Sequence, residues 1–161
     1  MTNNTLNNRG QIYMIAVVRF SDKTVCAHFS LGESDKEGVR ELIASNPSSK
    51  PGIRYTVSGS TQSVHYILDA SSRVYALVTH PRYPSRIAFG VLDELVHSFQ
   101  TEFGHRLSSA PEDSLSTAAK HLFQDLCNRY NYIFNITDFK LYLIELYSRF
   151  SFEQVRESRR D

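Results

Sequence analysis

Histidines are the residues of this sequence best suited to chemistry, because imidazole binds metals and exchanges protons near neutral pH. No two of them are four residues apart, as a pair of ligands on one helix turn would be, and no HExxH motif is present. A hydrogen-bonded or solvated role is therefore favoured over a metal or catalytic role. The six are His28, His65, His80, His97, His105 and His121.

Residues that often act as nucleophiles or paired acids lie in unfavourable contexts. Cys26 and Cys127 have apolar neighbours and form no CxxC motif, which predicts buried, reduced thiols rather than a disulfide or a zinc site. No GxSxG motif surrounds a serine. Asp93 and Glu94 are adjacent, and adjacent helix positions do not face each other, so we interpret them as part of a solvated surface.

One basic cluster allows an anion-binding hypothesis. Arg82 and Arg86 lie at the start of a predicted helix, where the helix dipole favours anions. Two arginines near a loop more often only keep the surface soluble. No Walker or Rossmann glycine pattern is present. We therefore expect no catalytic residue, no metal and no cofactor, with an enzyme of unlisted motif as the remote alternative.

Length and charge predict one globular domain that binds other proteins. The chain has 161 residues and a net charge of +1, so no strong field directs it to nucleic acid or anionic lipid. No apolar run is long enough to span a membrane. The first ten residues lack the apolar core of a signal peptide. A cytoplasmic location fits these features.

Five short apolar or β-branched segments predict strands separated by polar turns. Their close spacing predicts antiparallel pairing, with a hairpin first and a three-strand meander later. The predicted strands are 11–20, 24–30, 53–57, 63–68 and 73–79.

Apolar residues repeating at helical spacing predict four helices. Ser34-x-x-Glu37 has the form of a capping box at the start of the first, and Pro84 suits the start of the second. The helices are expected from Ser34 to before Asn46, from Pro84 to Gly104, over 113–130, and from Thr137 to about Phe150. The order β-β-α-β-β-β-α-α plus a C-terminal helix predicts an α+β fold, a five-stranded antiparallel sheet sandwiched by helices.

Three stretches of sequence resemble the longin domain of vesicle-trafficking R-SNAREs, whose fold is profilin-like. They are IYMIAVVRF with TVCAHFS, SVHYILDASSRVYALVT, and RYPSRIAFGVLDELVHSFQTEFG. The last is similar to the family's typical Tyr-Pro helix. Within the family the chain is most similar to the endoplasmic reticulum–Golgi class, on the weaker match of residues 129–139.

The resemblance implies a non-catalytic regulatory and sorting domain in ER–Golgi vesicle transport, at the cytosolic face of ER, Golgi or vesicle membranes. Its implied partners are SNARE proteins and vesicle coat or tethering components, with weak self-association left open. The implied binding groove lies between the first helix and the third strand. By position it involves Val39, Leu42, Ile43, Ile53, Tyr55 and Val57. The alternative is a subunit of a tethering or adaptor complex with the same fold.

The C-terminal part departs from an R-SNARE, because no heptad seam holds beyond residue 137. We expect a disordered tail at 1–10, the longin domain at 11–130, an aromatic-rich segment with a helix at 131–150, and a charged tail at 151–161. The chain is expected to be either an N-terminal piece of a SNARE or a longin protein without the fusion motif. The segment 131–150 packs on the domain or a partner, and its candidate self-docking residues are Phe139, Leu143, Leu146, Tyr147 and Phe150.

Overall fold

The computed structural model describes residues 11–32, 35–132, 143–144 and 147–148. The expected tails, and the helix predicted from Thr137 to Phe150 apart from four residues, lie outside the described residues. The elements are the strands β1 (Ile12–Arg19), β2 (Val25–Ser30), β3 (Arg54–Ser58), β4 (Ser63–Leu68) and β5 (Arg73–Thr79), and the helices α1 (Lys36–Ala44), α2 (Ser85–Phe103) and α3 (Lys120–Tyr132).

All five strands form one antiparallel sheet in the order β2-β1-β5-β4-β3. The hairpin and the meander predicted from the spacing of the strands are both present. β1 and β5 are central and almost wholly buried. This burial explains their continuous apolar runs, because a strand covered on both faces needs no polar alternation. β2 and β3 are the edges of the sheet.

Helix α1 covers one face of the sheet. Val39 and Ile43 contribute the buried part of its apolar side. They pack with alternate residues of the strands, among them Met14, Ala16 and Tyr66. The capping box predicted at Ser34 is wrong in its first residue. The N-cap is Asp35, whose carboxylate accepts the Glu37 N–H at 2.9 Å and so satisfies a donor of the first turn.

Helices α2 and α3 cover the other face. Their contact with the sheet includes a column of rings in which Phe99 is central, with its centroid 6.3 Å from that of Tyr75, 4.9 Å from Phe103 and 6.0 Å from Phe123. All four rings are buried. Glu94 of α2 accepts hydrogen bonds from Arg129 and Tyr130 of α3, which fixes the two helices side by side.

The third helix is shorter than the predicted 113–130, because residues 112–119 form a succession of turns before Lys120. The Asp113 and Leu115 N–H groups donate to the carbonyls of Val25 and Cys26 at 2.7 and 3.0 Å. Bonds to the edge of β2 thus replace the helical bonds that the apolar periodicity suggested. Asp113 has a φ of 55°, a left-handed conformation that aspartate tolerates better than most residues.

In the part of the chain that the structure describes, no helix is both long and apolar enough to cross a membrane.

Candidate protein-binding site

The outer strand β3 presents apolar side chains on the face of the sheet that α1 covers. Ile53, just before the strand, is 46% exposed and Val57 is 40% exposed. Tyr55 between them is half-buried and packs against the core of that face. Within the described residues β3 pairs with β4 alone, so its outer main-chain side is an open edge. An open edge beside apolar side chains is a surface that can take an extended peptide.

We use the name β3 groove for the candidate surface formed by Leu42 of α1 with Ile53, Tyr55 and Val57. Leu42 is half-buried and lies on the side of the helix that packs against the apolar core beneath α1. Val39 and Ile43 are buried in that core and do not line an open surface. The structure therefore places two of the six predicted groove residues in the core and leaves Leu42, Ile53, Tyr55 and Val57 accessible.

Two stacked tyrosines lie at the β3 groove, Tyr55 half-buried and Tyr66 buried beneath it. Tyr55 stacks on Tyr66 of β4 with 4.8 Å between centroids and 14° between planes. The Tyr55 hydroxyl accepts the Lys50 N–H at 2.8 Å, and the Tyr66 hydroxyl lies 3.1 Å from Ser49 Oγ. Both hydroxyls are thus tied to the loop between α1 and β3. Because the ring positions are held by these contacts, ligand binding would cost little conformational entropy at the two tyrosines.

Charged side chains hold α1 toward β2, at the far edge of the sheet. Arg40 donates to both oxygens of Glu112 at 2.8 and 3.0 Å, and Lys36 pairs with Asp113. His28 Nδ1 lies 2.5 Å from the same Asp113 carboxylate. Among the strands, α1 lies closest to β2. The β3 side of this face is less covered, and four of the five residues of β3 are exposed.

The carboxylates of this cluster are stabilised as charged groups. Hydrogen bonds from Arg40 lower the pKa of Glu112 below its ordinary value, against the effect of burial. Burial opposes ionisation of Asp113, but hydrogen bonds from Lys36 and His28 outweigh it, and its pKa is lowered. No signal in the sequence could have revealed this cluster, because its acidic and basic members are more than 70 residues apart along the chain.

On the opposite face, β3 is held by a buried histidine. His65 of β4 is 1% exposed; its Nδ1 lies 3.0 Å from Thr56 Oγ1 of β3 and its Nε2 3.1 Å from Thr79 Oγ1 of β5. The Thr79 hydroxyl donates to the His80 carbonyl, so it accepts from His65 Nε2–H. Thr56 then donates to Nδ1, which fixes a neutral tautomer. Burial lowers the pKa of His65 to about 4, in agreement with a neutral ring.

The other residues singled out in the sequence do not assemble a reactive site. Both cysteines are buried, and burial raises the pKa of the Cys127 thiol to about 12. Arg82 and Arg86 are exposed, and no ligand-like arrangement forms around them in the described residues. Asp93 pairs with Arg54 at 3.2 Å across the surface. The described residues also contain no group of three or more His, Cys, Asp or Glu placed to hold a metal ion.

The predicted self-docking residues are described only in part. Leu143 is 44% exposed and Tyr147 is 72% exposed. Phe139, Leu146 and Phe150 lie outside the described residues.

The domain is an α+β sandwich with an open strand edge beside exposed apolar side chains. The model of the longin family, described as a regulated-SNARE-like domain, matches residues 26–122. The chain belongs to the longin family. This membership confirms the resemblance inferred from the sequence. Longin domains are regulatory and non-catalytic, and membership supports a SNARE-like regulatory role in trafficking.

Comparison with individual proteins adds little beyond the family. No curated protein matches the chain. Among solved structures the chain is similar to MglC from Myxococcus xanthus, at 15% identity and a TM-score of 0.41, over 59% of this chain and 92% of that one.

Proposed function

We propose that this domain is a regulatory and sorting module of a SNARE-like protein in ER–Golgi transport, and that it binds SNARE or coat segments in the β3 groove. The observation that carries the proposal is the open edge of β3 beside the exposed side chain of Val57. Such binding is regulatory by nature, because it sequesters or presents a peptide segment without changing it chemically.

The chemistry of the groove selects an extended, apolar segment. Main-chain groups at the edge of β3 would pair with the peptide and supply affinity that is independent of its sequence. Apolar side chains of the peptide would contact Leu42 and Val57 and supply specificity. The Tyr55–Tyr66 stack offers a flat aromatic surface beneath them. We therefore expect alternate apolar residues in the bound segment, since successive side chains of a strand point to opposite faces.

A segment of the same chain is proposed as a competing occupant. Residues 131–150 are rich in aromatic and apolar residues, and the exposed side chains of Leu143 and Tyr147 need a surface to cover them. If this segment occupies the groove, a chain ending at Tyr132 will bind a SNARE or coat segment more tightly than the full chain. Equal affinity of the two chains would contradict self-docking while leaving the groove proposal intact.

The groove proposal is tested by placing a charge in it. The cytosolic regions of ER–Golgi SNAREs and coat subunits serve as ligands for the full chain, for Val57→Asp and for the control Leu31→Asp. Leu31 is 42% exposed and lies next to β2, so it matches Val57 in exposure but not in position. A carboxylate buried under a bound peptide loses hydration, so we expect Val57→Asp to weaken binding at least about tenfold and Leu31→Asp to leave it unchanged.

Three results would count against the proposal. In the first, the ligands bind Val57→Asp and Leu31→Asp with equal affinity. In the second, they bind neither variant nor the full chain. In the third, the chain co-purifies in a stoichiometric complex that Val57→Asp does not disturb. This result would favour a subunit of a tethering or adaptor complex instead.

A further inference from the structure

A small polar cavity lies at the end of the sheet where β1 ends and β5 begins. Its volume is about 190 Å³, and it is bounded by the turn after β1, the turn between β4 and β5, and residues 107–108. Two arginines and four serines provide its polar lining, and Leu107 provides the rest. The polar residues are Arg19, Ser21, Ser71, Ser72, Arg73 and Ser108.

The two arginines are direct partners on neighbouring strands. Arg19 of β1 stands opposite Arg73 of β5 in the antiparallel register. Like charges directly opposite each other in a sheet are destabilising. Two guanidinium groups therefore face one cavity. Asp22 already offsets the charge of Arg19, so the cost that a bound anion could remove lies at Arg73.

Main-chain carbonyls fix both guanidinium groups on the cavity wall. Arg19 Nη1 donates to the carbonyls of Leu107 and Ala110, both at 3.0 Å, and Arg73 Nη2 donates to the Gly104 carbonyl at 2.9 Å. A guanidinium has five N–H donors. Those of Arg19 are all engaged, because its Nε and Nη2 groups donate to Asp22 and Thr24. Arg73 keeps donors beyond its bond to the Gly104 carbonyl and is the arginine that can bind a ligand. The site is thus preorganised, since no long side chain has to be ordered when a ligand arrives.

The two arginines of the cavity differ in their ion pairing. Asp22 pairs with Arg19 at 2.7 Å and neutralises it in part. Arg73 makes no ion pair among the described residues. The nearby Asp69 carboxylate is engaged by the N–H groups of Ser71 and Arg73 and by the amide of Gln100. The Arg73 guanidinium is therefore without a direct ion-pair partner among the described residues.

We propose that this cavity binds a single phosphate monoester group carried by a soluble ligand. A phosphate has several acceptor oxygens and no obligatory donors, which matches a lining of guanidinium and hydroxyl groups. The planar guanidinium binds such an oxyanion through two parallel hydrogen bonds. The serine hydroxyls are free to rotate and can donate to the remaining oxygens. The cavity lies away from the β3 groove, and the inference does not depend on the function proposed for that groove.

A soluble ligand is favoured over a lipid headgroup in a membrane. Recognition of anionic membranes uses clusters of about four to eight basic residues. Here only two basic residues line the cavity, and Arg19 is already paired with Asp22, so the site has little attraction for an anionic bilayer.

The test measures binding of O-phospho-L-serine, inorganic phosphate and L-serine to the full chain by calorimetry at low ionic strength. Arg73→Gln removes the guanidinium charge but keeps an amide donor for the Gly104 carbonyl. Ser108→Glu places a carboxylate at the exposed rim and leaves both arginines in place. Arg54→Gln is the control, an exposed arginine on β3. Vesicles containing phosphoinositides are tested by co-sedimentation.

We expect one saturable site for O-phospho-L-serine and for phosphate, and none for L-serine. Arg73→Gln and Ser108→Glu should each weaken binding at least about tenfold, whereas Arg54→Gln should change it less than about twofold. If Arg73→Gln does not fold, Ser108→Glu alone decides. Absence of saturable binding, equal losses in Arg73→Gln and Arg54→Gln, or binding to vesicles alone would overturn the proposal.

Discussion

The two edge strands of the sheet differ in whether their outer main-chain groups are hydrogen-bonded. At β2, the outer N–H of Val25 donates to Glu112 and that of His28 to Ser116, and outer carbonyls of the strand accept from Asp113 and Leu115. At β3, the sheet ends without a further strand among the described residues, and apolar side chains stand beside the edge.

This difference separates an edge that stabilises the domain from an edge that is open to a partner. Exposed strand edges invite pairing with other chains, and proteins usually cover or charge them. Here the loop that carries Glu112 and Asp113 covers the edge of β2. Its ion pairs also hold α1 toward that edge, so the covering of β2 and the exposure of β3 have a common cause. The three predictions below test the two edges in order of expected effect.

The largest effect concerns the histidine that holds the open edge strand. Because the folded-state pKa of His65 is lowered to about 4 from an ordinary 6.5, the unfolded chain takes up a proton first as the pH falls. Stability from the neutral ring is complete above pH 6.5 and decreases between pH 6.5 and 4, by about 3 kcal/mol in total. Urea unfolding at pH 7 and pH 4 measures this difference.

Two variants isolate the contribution of His65. His65→Gln removes the titrating group and should flatten that part of the pH profile. His97→Gln, at an exposed position of α2, should leave the profile unchanged. A profile that is equally steep in all three proteins would show that other groups govern the acid sensitivity.

The second effect concerns the closed edge. Asp113→Ala removes the acceptor for His28 and Lys36 and places alanine at a φ of 55°. We expect the free energy of unfolding to decrease by about 2 kcal/mol. Asp125→Ala removes an exposed carboxylate that pairs with Arg129 within α3, and should cost less than about 0.5 kcal/mol. Similar losses in the two variants would mean that the Asp113 cluster is not what closes the edge.

The smallest effect is local and is seen in amide hydrogen exchange. The outer amides of β2 at Val25 and His28 are hydrogen-bonded, so they should exchange at least about tenfold more slowly than the outward amides of β3. Ser116→Ala removes the acceptor for His28 and should accelerate exchange at that amide alone. Equal protection of the two strands in the wild-type chain would contradict the contrast between the edges.

Much of the fold follows from local sequence patterns. β4 and β5 begin and end at the predicted residues, because each apolar segment is bounded by polar turn residues. The prediction at 113–119 is wrong because main-chain bonds to β2, which depend on distant residues, override helical periodicity. The first helix likewise begins one residue later than its capping box suggested, since Asp35 caps it instead.

The candidate groove was predictable only in outline. Periodicity identifies the apolar side of α1 but not which part of it another element covers, so Val39 and Ile43 could not be separated from Leu42. The Asp113 cluster and the Thr56–His65–Thr79 chain escaped prediction because their members meet only in the folded sheet. The two arginines of the cavity became neighbours for the same reason, through the pairing of β1 with β5.

The open edge of β3 also bears on how the protein behaves at high concentration. An uncovered strand with apolar neighbours is a template for aggregation. β3 limits this hazard by being only five residues long and by carrying the charge of Arg54. The surface proposed to bind a partner is thus also the surface most prone to misassembly, and keeping it occupied would protect the protein's solubility.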